Sequence, residues 1–354
     1  GQSAFYCFST DSRASWLITK GNLSTRTIAR NNAGTWEYNS NATYGSETWV
    51  SASVNTESRA LSGAMSVSVN RMAGDFGTIV YGLTNASYDS VSLSVAAQTD
   101  NTRGIFFSTD GTKMFLVGSS DKVSQYTLTT AFDLSTASYD SVFRSTSSQD
   151  SDATDVQFSR DGTRMYILGN TNNRVYQYNL STAWNLATAG YSGLSFLYSS
   201  QATYGFGLSF SSDGSRMYIV DFLNGKIFQY NLSTPWSVNT ASYSSVSLSV
   251  GSQDGRPYAT TFTFDGTKMF LVGTNSDRVF QYNLTTAFDI STASYASISF
   301  SVASQDTAPS GVAFSTDGTK MYIVGEGSDT VHQYSAGAIA TFSSLGDTLN
   351  EAVI

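Results

Sequence analysis

The sequence predicts an all-β protein, a seven-bladed β-propeller with four-stranded antiparallel blades, and three observations carry that expectation. A block reading F-S-x-D-G-T-[KR]-M-[FY]-[ILV]-[ILV], then glycine, a polar loop and V-x-Q-Y, begins at Phe107, Phe158, Phe210 and Phe314, with an F-T-F-D-G variant at Phe262. The methionine after its Asp-Gly turn falls at Met114, Met165, Met217, Met269 and Met321, in steps of 51, 52, 52 and 52 residues. Two further steps of 49 residues toward the N-terminus reach Met65 and Trp16, so seven units account for all 354 residues. Units of this length that hold several strands cannot bury their faces alone and must stack in a ring.

One repeat, residues 150–201, justifies the four strands in order. In T-D-V-Q-F-S, Val156 and Phe158 alternate with Asp155 and Gln157, the pattern of a short inner strand. Asp161-Gly162 makes a tight turn, because glycine tolerates positive φ and aspartate bonds its own backbone. Met165 to Leu168 is a continuous apolar run, expected where neighbouring blades cover both faces. After the polar loop 169–173 come a third strand at 174–179 and a fourth at 193–199, reached through a connection containing Trp184. The blades are placed at about 1–44, 45–98, 99–149, 150–201, 202–253, 254–305 and 306–354, forming one domain over 1–354. The first two need strands near 4–9, 15–19, 25–30 and 34–38, then near 47–54, 62–69, 77–82 and 88–95. In the last unit, A-I-A-T-F-S-S after Tyr334 must supply the fourth strand.

Composition agrees with a β scaffold and excludes some functions. Only 13% of residues are charged, while 22 Phe and 21 Tyr supply core bulk on a pleated surface. A net charge of −8 with scattered Lys and Arg argues against nucleic acid as a partner, since phosphate binding needs clustered cations. No apolar run approaches the ~18 residues that would cross a bilayer, so no membrane insertion is expected. The start G-Q-S-A-F-Y-C lacks the basic-then-apolar pattern of a signal peptide. The single cysteine, Cys7, sits in the aromatic run F-Y-C-F-S and reads as a small buried hydrophobe.

No catalytic constellation is evident. His332 is the sole histidine and occupies the slot that holds Ser124, Tyr176, Phe228 and Phe280 in other copies, so it reads as a packed ring. The Gln-Asp pairs at 149–150, 253–254 and 305–306 lie on loops entering the next inner strand, with the D-S-D segment at 150–152 and Asp155 beyond. Asp150, Asp152, Asp155, Asp254 and Asp306 are therefore the candidate ligand-binding residues. They could offer oxygens to a cation or to sugar hydroxyls; equally, they could be turn residues repeated blade by blade. No catalytic residue, metal site or cofactor is assigned. Phe132, Trp184, Trp236 and Phe288 share one slot and read as packing against the next blade.

The F-S-x-D-G-T-K-M-[FY] blade resembles the seven-bladed repeats of the YVTN and lactonase-like propellers, over about residues 85–334. The S-T-A-[FW]-[DN]-[LI]-x-T-A-x-Y connection is similar to repeats of phage tail-associated and bacterial surface proteins. With the low-charge surface, this implies a non-catalytic binding or assembly module, most simply a virion tail or spike component on a virion surface or otherwise extracellular. Its partners would be other structural subunits of an assembly, or a host-surface glycan or receptor. The alternatives are a lactonase-like hydrolase at the channel mouth and a bacterial surface adhesin or lectin.

Overall fold

The computed structural model describes the strands Phe5–Thr10, Arg13–Lys20, Thr27–Asn32, Thr35–Asn39 and Val50–Ser51, and the continuous stretch 82–336. Two compact units are present: residues 1–78 with 340–354, and residues 79–339. In the first unit the five strands named above pair antiparallel in sequence order as one meander. The second unit is a propeller.

Five four-stranded antiparallel sheets form the propeller, so the seven-bladed ring expected from the sequence is corrected to five blades. Blade 1 runs from the inner strand Thr102–Phe107 to the outer strand Ala137–Ser145, and blade 2 from Ala153–Phe158 to Ala189–Leu197. Blade 3 runs from Gly205–Phe210 to Ala241–Ser249, and blade 4 from Pro257–Phe262 to Ala293–Ser301. Blade 5 takes three strands from the end of the repeat, Pro309–Phe314, Lys320–Gly325 and Thr330–Ser335. Its outer strand is Ser87–Ser94, paired Val331↔Leu93 and Tyr334↔Tyr88. The ring therefore closes by strand exchange, and the strand expected near 88–95 completes the last blade rather than a second one. The A-I-A-T-F-S-S segment expected in that role lies outside the described residues. So do the strands expected at 62–69 and the first part of 77–82.

Local chemistry explains why the copies fold alike. In each inner turn an aspartate accepts from the residues around it: Asp161 takes Ser159 Oγ at 2.6 Å and Thr163 N at 3.0 Å. Gly162 follows at φ +69, and a Cβ there would run into the Trp184 indole. Trp184 packs between blades against Phe158, and Phe158 lies 4.2 Å from Phe115 of blade 1, centroid to centroid. Pairs of this kind add about 0.5–1.5 kcal/mol beyond their buried area. The second strands, such as Met165 to Leu168, are fully buried, as expected for a layer covered on both faces.

The glutamine of V-x-Q-Y fastens each blade to the next. Its side-chain oxygen accepts from a buried backbone N–H in the neighbouring blade's connection: Gln125 from Leu186 (2.7 Å), Gln177 from Val238 (3.3 Å) and Gln229 from Ile290 (3.1 Å). Gln333 takes Leu134 N at 2.8 Å and Gln281 takes Leu83 N at 3.4 Å, so the same fastener recurs at all five junctions, including the two that close the ring. The tyrosine beside it anchors the entering loop, as when the Tyr178 hydroxyl donates to Gln149 at 2.7 Å.

Candidate functional site

The inner strands surround the ring axis and line up by register, so equivalent positions form rings of five. Most rings hold small or apolar residues. The second inner-strand position departs from that: it holds Arg103, Thr154, Phe206, Tyr258 and Ser310. At the end of the ring where these strands begin, one side chain from each blade meets its neighbours. Arg103 of blade 1 pairs with Asp152 of blade 2, and its Nε donates to Glu326 of blade 5 at 2.8 Å. Tyr258 of blade 4 donates to the other oxygen of Glu326 at 3.0 Å. Phe206 of blade 3 lies edge-on to Tyr258 at 4.7 Å and beneath the Arg103 guanidinium at 5.7 Å. Asn170 Nδ2 donates to Asp152 Oδ2 at 2.9 Å.

Burial acts to lower the Arg103 pKa, but the hydrogen bonds and charges of Asp152 and Glu326 outweigh it, so the guanidinium stays firmly charged. Burial and the Glu326 charge push the Tyr258 phenol up, which keeps its proton in place as a donor. Around this cluster stand the exposed Tyr204, the half-buried Phe222 and the exposed Arg256, whose guanidinium lies 5.5 Å from the Phe222 ring. Among the described residues Arg256 makes no ion pair. At the opposite end, Arg160 of blade 2 lies 4.4 Å over the Phe264 ring of blade 4, two blades that are not neighbours, so this contact bridges the axis.

The five candidate aspartates separate into three situations. Asp150, Asp254 and Asp306 are buried and cage the loop after the second strand of their own blade. Asp150 accepts from the backbone of Asp152, Thr171 and Asn172, Asp254 from Arg256, Asn275 and Ser276, and Asp306 from Ala308 N and Ser328 Oγ. Each sits where a glycine (Gly169, Gly273 or Gly325) ends the second strand, and a Cβ on that glycine would clash with the carboxylate. Asp152 alone reaches the charged cluster, with its side chain 32% exposed. Asp155 is buried between inner strands. It accepts from its own blade's Val156 N at 2.7 Å and from Leu208 N of blade 3 at 2.8 Å, and burial lifts its carboxyl to about 7 against those hydrogen bonds. The structure brings no three of the five together, and among the described residues no group of three or more metal-ligating side chains could hold an ion.

His332 packs edge-on to Tyr88 at 5.9 Å, and burial lowers its pKa. Sequence reasoning passed over Arg103, Glu326, Tyr258, Phe206 and Arg256. The signal was the variation itself, a slot reading Arg, Thr, Phe, Tyr and Ser, large or charged in three copies where its neighbouring slots hold mostly small residues or proline. It also missed Asp221, which ends the second strand of blade 3 where other blades have glycine. There Ala202 replaces the loop aspartate, and Asp221 supplies the carboxylate to Leu223 N, Asn224 N and Thr203 N instead.

No family model matches the chain, and no curated protein matches it. Solved structures do. A candidate 6-phosphogluconolactonase from Bacteroides uniformis is 16% identical, with a TM-score of 0.42 over 63% of each chain. The periplasmic gluconolactonase of Pseudomonas aeruginosa is 16% identical, with a TM-score of 0.42 over 67% of this chain and 66% of that one. A functionally unknown protein from Desulfotomaculum acetoxidans is 13% identical, with a TM-score of 0.43 over 87% and 78%. The chain thus spans just under two thirds of the length of both lactonase-named neighbours. Where these neighbours carry an activity in their names it is a lactonase activity. The expectation of a non-catalytic virion or assembly module, and of a chain that is not an enzyme, is corrected on that finding.

Proposed function

We propose that this protein is a lactonase-like hydrolase that opens a small, polar cyclic ester at the Arg103 end of the ring. The observation that carries this reading is the convergence of Arg103, Asp152, Glu326, Tyr258 and Phe206, one side chain from each blade, with both signs of charge held by direct contacts. Ester hydrolysis needs a base to take a proton from water, which a carboxylate can be, and donors or a fixed cation to meet the charge that develops on the carbonyl oxygen.

Asp152 is the more open of the two carboxylates, 32% exposed against 24% for Glu326, and is the proton acceptor in this reading. Glu326, held by both Arg103 and Tyr258, positions the guanidinium. Water oxygen bonds to the carbonyl carbon while its proton passes to Asp152. The tetrahedral oxyanion leans on the cationic rim, the bond from carbon to ring oxygen breaks, and Asp152 returns the proton to the departing alkoxide. The product is the open hydroxy acid, whose new carboxylate the exposed Arg256 attracts toward solvent. Phe222 and Tyr204 offer faces for the ring's C–H edges.

The test follows acid release from a panel of aldonolactones and aliphatic lactones at pH 7, with Asp152→Asn and Arg103→Met beside the unaltered protein. Removing a group that meets transition-state charge costs on the order of 10²–10³ in kcat. Absence of turnover with every lactone by correctly folded protein, or unchanged rates in both variants, would sink the proposal.

A further inference from the structure

Lys320 of blade 5 stands in the slot that Arg164 fills in blade 2 and Arg216 in blade 3, directly after the inner turn. Arg164 reaches into blade 3 and donates from Nη1 to the carbonyl oxygens of Pro235 at 3.4 Å and Trp236 at 3.2 Å. Arg216 reaches into blade 4 and donates to the carbonyl of Ala287 at 3.2 Å. Beside each guanidinium a tyrosine hydroxyl, Tyr166 or Tyr218, donates to the carbonyl of the neighbouring aromatic residue. Twice in one molecule, then, this junction is filled by a guanidinium lying against backbone carbonyls.

At the junction of blades 5 and 1 the frame repeats but the cation does not. The Tyr322 hydroxyl donates to the Phe132 carbonyl, as its counterparts do. Lys320 turns the other way, its Nζ donating to Asp89 at 2.7 Å and to Ser335 Oγ at 3.2 Å. A cavity of about 280 Å³ remains, lined by Ala131, Phe132, Asp133, Asp317, Thr319, Lys320 and Gln333. At the junction of blades 1 and 2 Lys113 also turns back, to Asp140 at 3.0 Å, but an indole, Trp184, stands there in place of the Phe132 phenyl ring.

We infer that this notch binds a guanidinium group from outside the chain. Ala131 and Phe132 occupy the repeat slots of Pro235 and Trp236, and the Phe132 carbonyl accepts from Tyr322 as the Trp236 carbonyl accepts from Tyr166. Carboxylates gather there too: Asp317, Asp133 and Asp89 all act on the buried Tyr322 hydroxyl, and Asp89 engages the Lys320 ammonium. A planar cation with several in-plane donors satisfies carbonyls and carboxylates together, whereas a compact ammonium reaches fewer of them. The group could arrive on a free guanidino compound or on an arginine side chain of a peptide.

Amide chemical shifts of Ala131, Phe132 and Asp133 in the full chain, titrated with methylguanidinium and separately with methylammonium, test the inference. Saturable shifts with methylguanidinium, and several-fold weaker binding of methylammonium, are expected. Lys320→Arg fills the notch from within and removes the saturation. Tighter binding of an arginine-containing tripeptide than of methylguanidinium assigns the site to a side chain; equal binding assigns it to a free compound. Equal response to the two small cations, no saturation, or undiminished binding by K320R overturns the inference.

Discussion

Replacing the buried Asp155 with asparagine should change the pH dependence of stability more than stability itself. The carboxyl is 4% exposed, bridges the inner strands of blades 2 and 3 through Val156 N and Leu208 N, and is lifted by burial from 3.8 to about 7. Between those two values the folded state holds a proton that the unfolded state has lost. The stability tied to that proton is fully present below pH 3.8 and is lost as pH rises through about 7. At about 1.4 kcal/mol per pH unit, the loss attributable to this one group is on the order of 4 kcal/mol. Asparagine cannot titrate, so D155N should lack that slope. Its own penalty is separate: one backbone N–H, that of Leu208 or Val156, would face an amide NH₂, at a pH-independent cost of roughly 1–3 kcal/mol. Urea unfolding of both proteins at half-unit steps from pH 4 to pH 8 measures the difference. The native protein should fall toward D155N with rising pH; parallel curves across the range would refute the burial argument.

Three other outcomes are expected. Gln177→Leu strands the buried Val238 N–H at the junction of blades 2 and 3 and should cost about 1–3 kcal/mol in urea unfolding, while loss of an exposed serine such as Ser242 should cost little. Asp221→Gly alone should destabilise blade 3 by a similar amount, but combined with Ala202→Asp it should recover most of the loss. A double-mutant cycle showing simple additivity would argue against the exchanged carboxylate. Arg103→Met should reduce lactone turnover by about 10² or more and leave Asp152 and Glu326 without their shared cation, while Arg256→Gln should act chiefly on KM.

The scaffold was legible because it repeats. The interval of 52 residues, the Asp-Gly turns and the alternation around Phe158 all describe contacts each blade makes in the same way, so each copy confirms the others. The blade count was misread where the interval shortened to 49, at Met65, which lies outside the described residues. A clearer sign was available in L-T-N-A-S-Y-D at Leu83, which matches L-S-T-A-S-Y-D at Leu134. That match places residues 83–89 late in a blade, and a chain whose first repeat fragment is a blade's end closes its ring by lending that fragment to the last blade. The charged cluster was illegible for the opposite reason. Arg103, Asp152, Glu326 and Tyr258 lie 49 to 223 residues apart and meet only because the ring brings rows of equivalent positions around one axis.

A departure from the repeat is not by itself a sign of function, and blade 3 shows how the two kinds differ. Ala202 and Asp221 both break the pattern, yet together they return one carboxylate to the same loop, with backbone N–H groups as its partners. The exchange leaves the local chemistry of the blade as it is in blades 2, 4 and 5, and nothing about it reaches another blade. Arg103 is different in kind. No other blade has a cation in that slot, its two carboxylates come from different blades, and no other copy has a carboxylate in either of their slots. A fold held together by Gln fasteners and aromatic packing does not need such a cluster for closure, since all five junctions carry the fastener already. Charges gathered from three blades onto one end of the axis, where the scaffold has no use for them, are what the proposed lactone site requires.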